Sequence, residues 1–505
     1  MNQRRRALWL FLAIAAIAAA FRFPQLAARP MHADEAVHAD RLGTLLEQGR
    51  YEYSTVDYHG PTLDYLALVA ARVQGIRRYA DLNEVTLRAV PAVFGVLLVA
   101  MHFLLIPYLG LPASACAALF TAISPAMVYY SRYFIHETLL VFFTFAAMLA
   151  LFAYFRRPGA GPALAAGAIF GLLYATKETW ILAAGCMLLA GAAQGRSKFH
   201  IMARHVALAA AAAAVVAMLF MSSFLTHPRG IIDSVLAYRT YFARGAGVNT
   251  VHIHPWYFYF HRLLYFHTVG APVWSEVLIA VLAVVGLPVA LGRPGVARFL
   301  GIYTVLLVAV YCAIPYKAPW NLLGFLHGMI LLAGIGVVWT FQHAPKLLVV
   351  ALVGLGVGNL GWQARAASFQ YSSDPRNPWV YAHTGTDVFL IAKQMAALAA
   401  ADPAGRAMPV QIFTRENLWP LPWYLRRYTA VRWWNGVSDT APLAPVILAT
   451  PDMEPALLHR IYEVPPPGQR EMYLNMFDRY VELRPRVEVR GYVAKWLWDD
   501  LREAP

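Results

Sequence analysis

The chain has 505 residues, with 42 Lys and Arg against 28 Asp and Glu, a formal charge of +14. Apolar residues make up 59% and charged ones 14%, whereas a soluble domain carries roughly 45–50% and about 25%. That excludes an ordinary soluble enzyme, a disordered chain and a disulfide scaffold, and implies an integral membrane protein with room for one or two further domains.

The basic excess is not that of a nucleic-acid binder. Residues 363–505 hold 16 basic and 15 acidic side chains, while 1–362 hold 26 and 13. No soluble module concentrates positive charge beside aromatics, so nucleic acid is not an expected partner.

A membrane span needs about 20 mostly apolar residues. Eleven segments qualify: 7–23, 88–106, 113–130, 138–155, 162–176, 179–194, 206–224, 276–291, 299–314, 322–341 and 347–362. Arg4–Arg6 before the first, and Ala27-Ala28 after it, also fit a signal peptide, but ten further spans favour an uncleaved anchor. Lys and Arg in short loops set orientation. With a cytoplasmic N-terminus, the inner loops carry Arg4–Arg6, Arg156, Arg157, Arg196, Lys198, Arg204, Arg293, Arg298 and Lys346, and no acid. All 13 acids of 1–362 fall on the other side. Eleven crossings then put the C-terminal domain outside the plasma (inner) membrane.

Cys116, Cys186 and Cys312 lie within expected spans, so no disulfide framework is expected. The Ala-rich run 207–217 reads as a close-packing helix face. Three outer regions stand apart. The loop 24–87 holds helix-like stretches at 34–49 and 61–76, parted by Tyr58-His59-Gly60-Pro61, and both are expected to lie along the bilayer interface. The loop 225–275 is rich in His, Tyr, Phe and Trp, as an aromatic belt would be. Residues 363–505 carry strand-like runs at 410–413, 430–434 and 446–449 and a helix-like stretch at 384–400, a small α/β domain. The expected architecture is therefore a polytopic α-helical membrane domain, 1–362, with about eleven spans, followed by an extracytoplasmic α/β domain, 363–505.

Four clusters can carry chemistry. The first is His32-Ala33-Asp34-Glu35-Ala36-Val37-His38. Asp34 can simply cap a helix, or serve as a general base at the membrane surface. Asp34 and His38 share a helix face and Glu35-x-x-His38 has ligand-like spacing, so a divalent metal is a further reading that lacks a third fixed ligand. The second is Ser131–Glu137, where Arg132, His136 and Glu137 lie close to hydrocarbon and must be paired or used. The third is Lys177-Glu178 in a tight outer turn, and the fourth is Lys317 between Pro315 and Pro319 beside Tyr316 and Trp320. An Arg132–Glu137 pair and a snorkelling Lys317 are the structural alternatives. Asp57, His59 and Asp64 form a second tier. Trp419, Trp423, Trp433 and Trp434 could stack a sugar or pack a small domain. Together the four clusters supply carboxylates, His and three cations at one membrane depth. That composition suits a lipid-borne phosphate with acids to activate an acceptor.

In Asp34-Glu35 of the first outer loop, Ser131-Arg132…Glu137 of the second, and the multi-span layout with an outer C-terminal domain, the chain resembles the GT-C-type membrane glycosyltransferases. These include the protein O-mannosyltransferases and the lipid A aminoarabinose transferase. It is similar, more narrowly, to a prokaryotic flippase-activity-associated, mannosyltransferase-related branch. The residues are His32-Ala33-Asp34-Glu35-Ala36, Tyr58-His59-Gly60-Pro61, Ala175-Thr176-Lys177-Glu178, Tyr316-Lys317-Ala318-Pro319-Trp320-Asn321 and Trp419–Arg426.

The resemblance implies transfer of a sugar from a polyprenyl-phosphate donor to an envelope acceptor (protein, glycan or lipid) at the outer membrane face. It places Asp34 as base, with Glu35 and Glu137 steering the acceptor. Glu137 stands where the family often has Asp, which leaves metal binding there open. Arg132, Lys177 and Lys317 are assigned to the donor phosphate by their chemistry, with His32, His59, His136 and Glu178 in support. The rival reading is a flippase or flippase accessory that binds the same lipid without chemistry. A third is a scaffold whose clusters tolerate neutral substitution.

Overall fold

The computed structural model describes residues 3–56, 59–194, 202–248 and 250–503. Asp57, Tyr58, Arg196 and Lys198 lie outside the described residues. Two compact units divide the chain. One comprises Met1–Leu26, Thr44–Ile76 and Asn83–Tyr381, and the other Ala27–Gly43, Arg77–Leu82 and Ala382–Pro505. The division thus differs from a single cut at 362, because residues 27–43 pack with the C-terminal unit.

The first unit is helical. Among the described residues, six helices are long and apolar enough to cross a membrane: Glu84–Leu109, Glu137–Arg156, Ala203–Met221, Val296–Ala313, Pro319–His343 and Lys346–Gln370. Four more apolar helices are shorter: Leu111–Ile123, Ala160–Tyr174, Trp180–Ala192 and Val277–Gly292. At 1.5 Å per residue such helices fall below the roughly 30 Å of a bilayer core. The helix Gln3–Arg22 coincides with the first expected span. The span expected at 113–130 is two helices, Leu111–Ile123 and Pro125–Tyr130. Pro125 has no N–H to donate and pushes Ser124 out of the helical region. Glu276 fills the break, accepting from Ser124 Oγ at 2.6 Å and from the Ala126 N–H at 2.9 Å.

Small residues set the tightest crossing. A Cβ on Gly286 would sit 2.0 Å from the Leu332 carbonyl oxygen, and one on Gly336 would sit 2.0 Å from that of Leu282. The helices Val277–Gly292 and Leu323–His343 therefore meet backbone to backbone, the close approach that small residues permit in membranes. The Ala-rich helix 203–221 runs along the helix 160–174. In the region 225–275 two helices form, Arg229–Gly245 and Phe258–Leu264.

The second unit carries seven strands. They are β1 (Val410–Phe413), β2 (Val431–Trp434), β3 (Val446–Ala449), β4 (Tyr473–Asn475), β5 (Glu482–Arg484), β6 (Val487–Glu488) and β7 (Arg490–Ala494). The main sheet has the order β2-β1-β3-β7-β4, and β5 pairs with β6 separately. β1 runs parallel to both β2 and β3, whereas β7 is antiparallel to β3 and β4. Central β3 is buried throughout, and its alternation splits it between two cores. Val446 and Leu448 join Val388, Ile391 and Leu398 of the helix Asp387–Ala401, while Ile447 and Ala449 join Leu457 and Ile461 of the helix Glu454–Tyr462.

Candidate functional site

In the C-terminal unit, the segment before helix Ala33–Gln48 explains how Asp34 is left available. Glu35 Oε2 accepts the His32 N–H at 2.9 Å, and His32 Nδ1 accepts the Asp34 N–H at 3.1 Å. This is the reciprocal pattern of a capping box, with His32 in the place of Ser or Thr and Glu35 three residues on. The cap expected from Asp34 is therefore made by its neighbours. Its own carboxylate is half exposed, at 50%, and lies 3.8 Å from His32 Nδ1. That nitrogen is already an acceptor, so the contact is not an ion pair.

Glu35 differs sharply. It is 0% exposed and meets Arg29 Nη2 at 3.2 and 3.3 Å. Its oxygens hold the loop together through Arg29 and the His32 N–H. The loop is held further by side chains from the same unit. Tyr424 OH accepts the Met31 N–H at 2.9 Å, Thr384 Oγ1 donates to the Met31 carbonyl at 2.7 Å, and His383 stacks on His32 at 5.6 Å. Arg484 lies within electrostatic reach of Asp34 and Glu416. Trp423, which could stack a sugar or pack a small domain, is fully buried under the Arg426 guanidinium at 3.6 Å, while Trp433 and Trp434 are exposed on edge strand β2.

In the helical unit, Lys177 pairs with Glu137, and both are buried. The pair heads a small cavity of about 20 Å³ lined by Leu140, Thr144, Tyr311 and Trp320 among others, room for about one water. Glu137 is thus taken by Lys177 and not by Arg132, the partner that the structural alternative offered. Arg132 turns instead to the end of the first helix. Its Nη1 donates to the carbonyls of Arg22 at 2.8 Å and Phe21 at 3.3 Å, its Nη2 to that of Gln25 at 3.3 Å, and its guanidinium covers Phe369 at 4.4 Å. A cation at the carbonyl end of a helix satisfies orphan acceptors and complements the dipole. Those contacts engage both Nη atoms of Arg132, the cation that the resemblance assigns to the donor phosphate.

Glu178 faces the first outer loop. Tyr53 OH donates to Oε1 at 2.5 Å, and His59 Nδ1 lies 2.7 Å from Oε2 and 3.1 Å from Tyr241 OH. Burial pushes the carboxyl up, but the charge of His59 and the hydrogen bonds from His59 and Tyr53 outweigh it, so Glu178 sits below the ordinary carboxyl value. Burial first, and then Glu178 itself, push Tyr53 and Tyr241 well above the usual phenol. His136 Nε2 lies 2.9 Å from the Gly60 carbonyl, with its ring 5.2 Å from that of His59. Gly60 is required here, since a Cβ would sit 2.1 Å from the Ala175 oxygen. His59, His136 and Glu178 are thus brought together, and Asp64 is buried nearby in sequence at the start of helix Thr62–Val73.

Lys317 lies in the turn between the helices Val296–Ala313 and Leu323–His343. It is 1% exposed, and its Nζ donates to the carbonyls of Ile314 and, at 3.3 Å, His254. Burial lowers its pKa. The sequence reading missed the residues around it, His252, His254, Arg262 and Tyr381, because an aromatic-rich loop reads as an interfacial belt. It also passed over His102 and His327, a buried pair within two spans whose Nε2 atoms lie 3.3 Å apart. Among the described residues, no group of three or more His, Cys, Asp or Glu could hold a metal ion, so the metal reading of Asp34 with His38 gains no third ligand.

Residues 69–260 match the family described as dolichyl-phosphate-mannose-protein mannosyltransferase. No curated protein matches the chain. Solved structures do. ArnT from Cupriavidus metallidurans bound to undecaprenyl phosphate superposes with a TM-score of 0.64 at 14% identity, covering 95% of this chain and 97% of that one. Its apo state gives 0.60 at 14%, over 97% and 98%. The archaeal oligosaccharyltransferase AglB from Archaeoglobus fulgidus, in complex with an inhibitory peptide and a dolichol-phosphate, gives 0.58 at 12%, over 90% and 70%. At these identities the likeness is one of fold.

Proposed function

We propose that this chain, a multi-pass membrane protein with a fold like that of ArnT and AglB, is a GT-C-type glycosyltransferase that moves a sugar from a polyprenyl-phosphate donor to an envelope acceptor at the outer membrane face. The observation that carries the reading is the division of labour in the first outer loop. His32 and Glu35 make the cap, and Asp34 keeps a half-exposed carboxylate on a fixed helix start. A carboxylate that the fold does not need for structure is available to take a proton.

In the reaction, Asp34 removes the proton from the acceptor hydroxyl or amine. The acceptor atom bonds to the anomeric carbon as the bond from that carbon to the phosphate oxygen breaks. Its electron pair leaves on the polyprenyl phosphate. A single displacement inverts the anomeric centre. Lys317 supplies charge to the departing phosphate. The undecaprenyl phosphate and dolichol-phosphate named for the structural neighbours support a lipid phosphate as the donor class.

The test is transfer from a labelled polyprenyl-phosphate sugar by the purified full chain. Asp34→Asn should lower turnover by about 10²–10⁴, the usual weight of general base catalysis, while lipid binding persists. Undiminished transfer in Asp34→Asn removes it as the base. Lipid movement without sugar release in the unmodified protein replaces the reading with that of a flippase.

A further inference from the structure

The helices Gln3–Arg22 and Lys346–Gln370 end beside one another within the helical unit. A Cβ on Gly361 would lie 3.9 Å from the tip of the Phe21 ring. The two ends then part around a cavity of about 310 Å³ lined by Ala20, Phe21, Gln25, Arg365 and Phe369. Its rim is fixed on both sides. The chain leaves the first helix through Gln25, held at φ 53°, in the left-handed region that non-glycine residues seldom adopt. The last helix widens into a π turn over Ala366–Gln370. Arg132 ties the two together, since its Nη2 donates to the Gln25 carbonyl at 3.3 Å and its guanidinium covers Phe369 at 4.4 Å.

Arg365 is the charged group of this cavity. The arginines Arg22, Arg88 and Arg132 of the same unit are buried and donate to backbone carbonyls. Arg365 is exposed, and among the described residues its guanidinium makes no hydrogen bond and no ion pair; the same holds for the side-chain amide of Gln25. A solvated arginine at a helix end is ordinary. What distinguishes Arg365 is the surface that runs down from it.

Gly354, Gly358, Gly361 and Arg365 follow one another at spacings of four, three and four residues, so they share one face of the helix. A Cβ on Gly354 or Gly358 would meet nothing within 4 Å. That face is a strip of bare backbone, bordered by the exposed side chains of Leu355 and Trp362 and leading into the cavity at its charged end. Where Cβ atoms are absent, an apolar chain can approach a membrane helix closely.

We infer that this groove binds one anionic phospholipid of the surrounding bilayer, its phosphate on Arg365 and Gln25 and an acyl chain along Gly358 and Gly354. A guanidinium meets phosphate oxygens with two parallel N–H donors, and the Gln25 amide supplies further donors. The lining residues include no carboxylate that could receive an ammonium, so a headgroup of net negative charge is favoured over a zwitterionic one. A free phosphate ion would leave Phe21, Phe369 and the glycine strip uncovered. This binding is independent of the proposed transfer reaction.

The experiment is native mass spectrometry of the purified full chain in micelles, titrated with dioleoyl phosphatidylglycerol and, in parallel, with dioleoyl phosphatidylcholine. The first phosphatidylglycerol should bind about ten-fold more tightly than phosphatidylcholine, or by about 1.4 kcal/mol. Arg365→Gln should erase that preference, and Arg365→Lys should keep most of it, which separates lost charge from lost folding. Gln25→Gly, which tolerates the left-handed backbone, should weaken phosphatidylglycerol several-fold. Gly358→Leu, at a position with open space beside it, should weaken both lipids. Equal binding of the two lipids by the unmodified chain, or phosphatidylglycerol binding unchanged in Arg365→Gln, would overturn the groove. Farnesyl phosphate that displaces phosphatidylglycerol at equal concentration would make a phosphate-monoester lipid the occupant and overturn the phospholipid.

Discussion

The turns at 175–179 and 314–321 are built alike, each carrying one lysine between apolar helices, yet the two lysines meet opposite fates. Lys177 points at Glu137, and its neighbour Glu178 is taken by His59 and Tyr53. Lys317 finds only carbonyl oxygens and the company of other basic groups. Depth in the membrane therefore does not decide whether a charge is structural or available. The side chain delivered by a helix or loop distant in sequence does.

The largest expected effect tests the first turn. Removing one partner of a buried ion pair leaves the other uncompensated, at a cost of about 3–5 kcal/mol. Glu137→Gln and Lys177→Met should each lose that much in denaturant unfolding in micelles, and the double variant should recover most of it. Lys317→Met should cost far less stability. An equal loss at both lysines would erase the contrast.

Glu178→Gln should be milder, about 1–3 kcal/mol, the range for a buried hydrogen-bonding group deprived of its partners. Its pKa is depressed in the folded chain relative to 4.5. Ionised Glu178 therefore stabilises fully above that ordinary value, and the contribution is lost as pH falls through the folded value. Unfolding midpoints of variant and unmodified protein should converge on the acid side. A gap that widens on acidification would contradict the geometry.

The smallest effect belongs to the C-terminal unit. Tyr424→Phe deprives the Met31 N–H of its acceptor, for about 1 kcal/mol. Amide exchange should quicken several-fold across residues 29–35 while the sheet core keeps its protection. No change there would mean that Tyr424 does not hold the Asp34 loop.

Much of this was legible in the sequence. Hydropathy places the apolar helices because burying backbone in lipid demands unbroken internal hydrogen bonding. Short apolar runs mark β1 and β3, the latter buried at every position. Strands β4 to β6 escaped, being two or three residues long, and β7 escaped although it is mostly buried, its pairing supplied by β3 and β4. In the site, Asp34 stood out as an acid beside a membrane exit, but not that His32 and Glu35 relieve it of capping. Arg132 stood out by its charge, but not that it reaches the end of the first helix, because a sequence shows composition and not reach.

Residue type and spacing alone determined the apolar helices and the separation of acid-bearing from purely basic connecting segments, since these depend on local hydropathy and charge. Tertiary structure alone decided which cation meets a carboxylate, which meets a helix end and which meets neither. Pairing depends on distances between segments far apart in the chain, about 40 positions for Lys177 and Glu137 and about 110 for Arg132 and Arg22, and no local pattern encodes those.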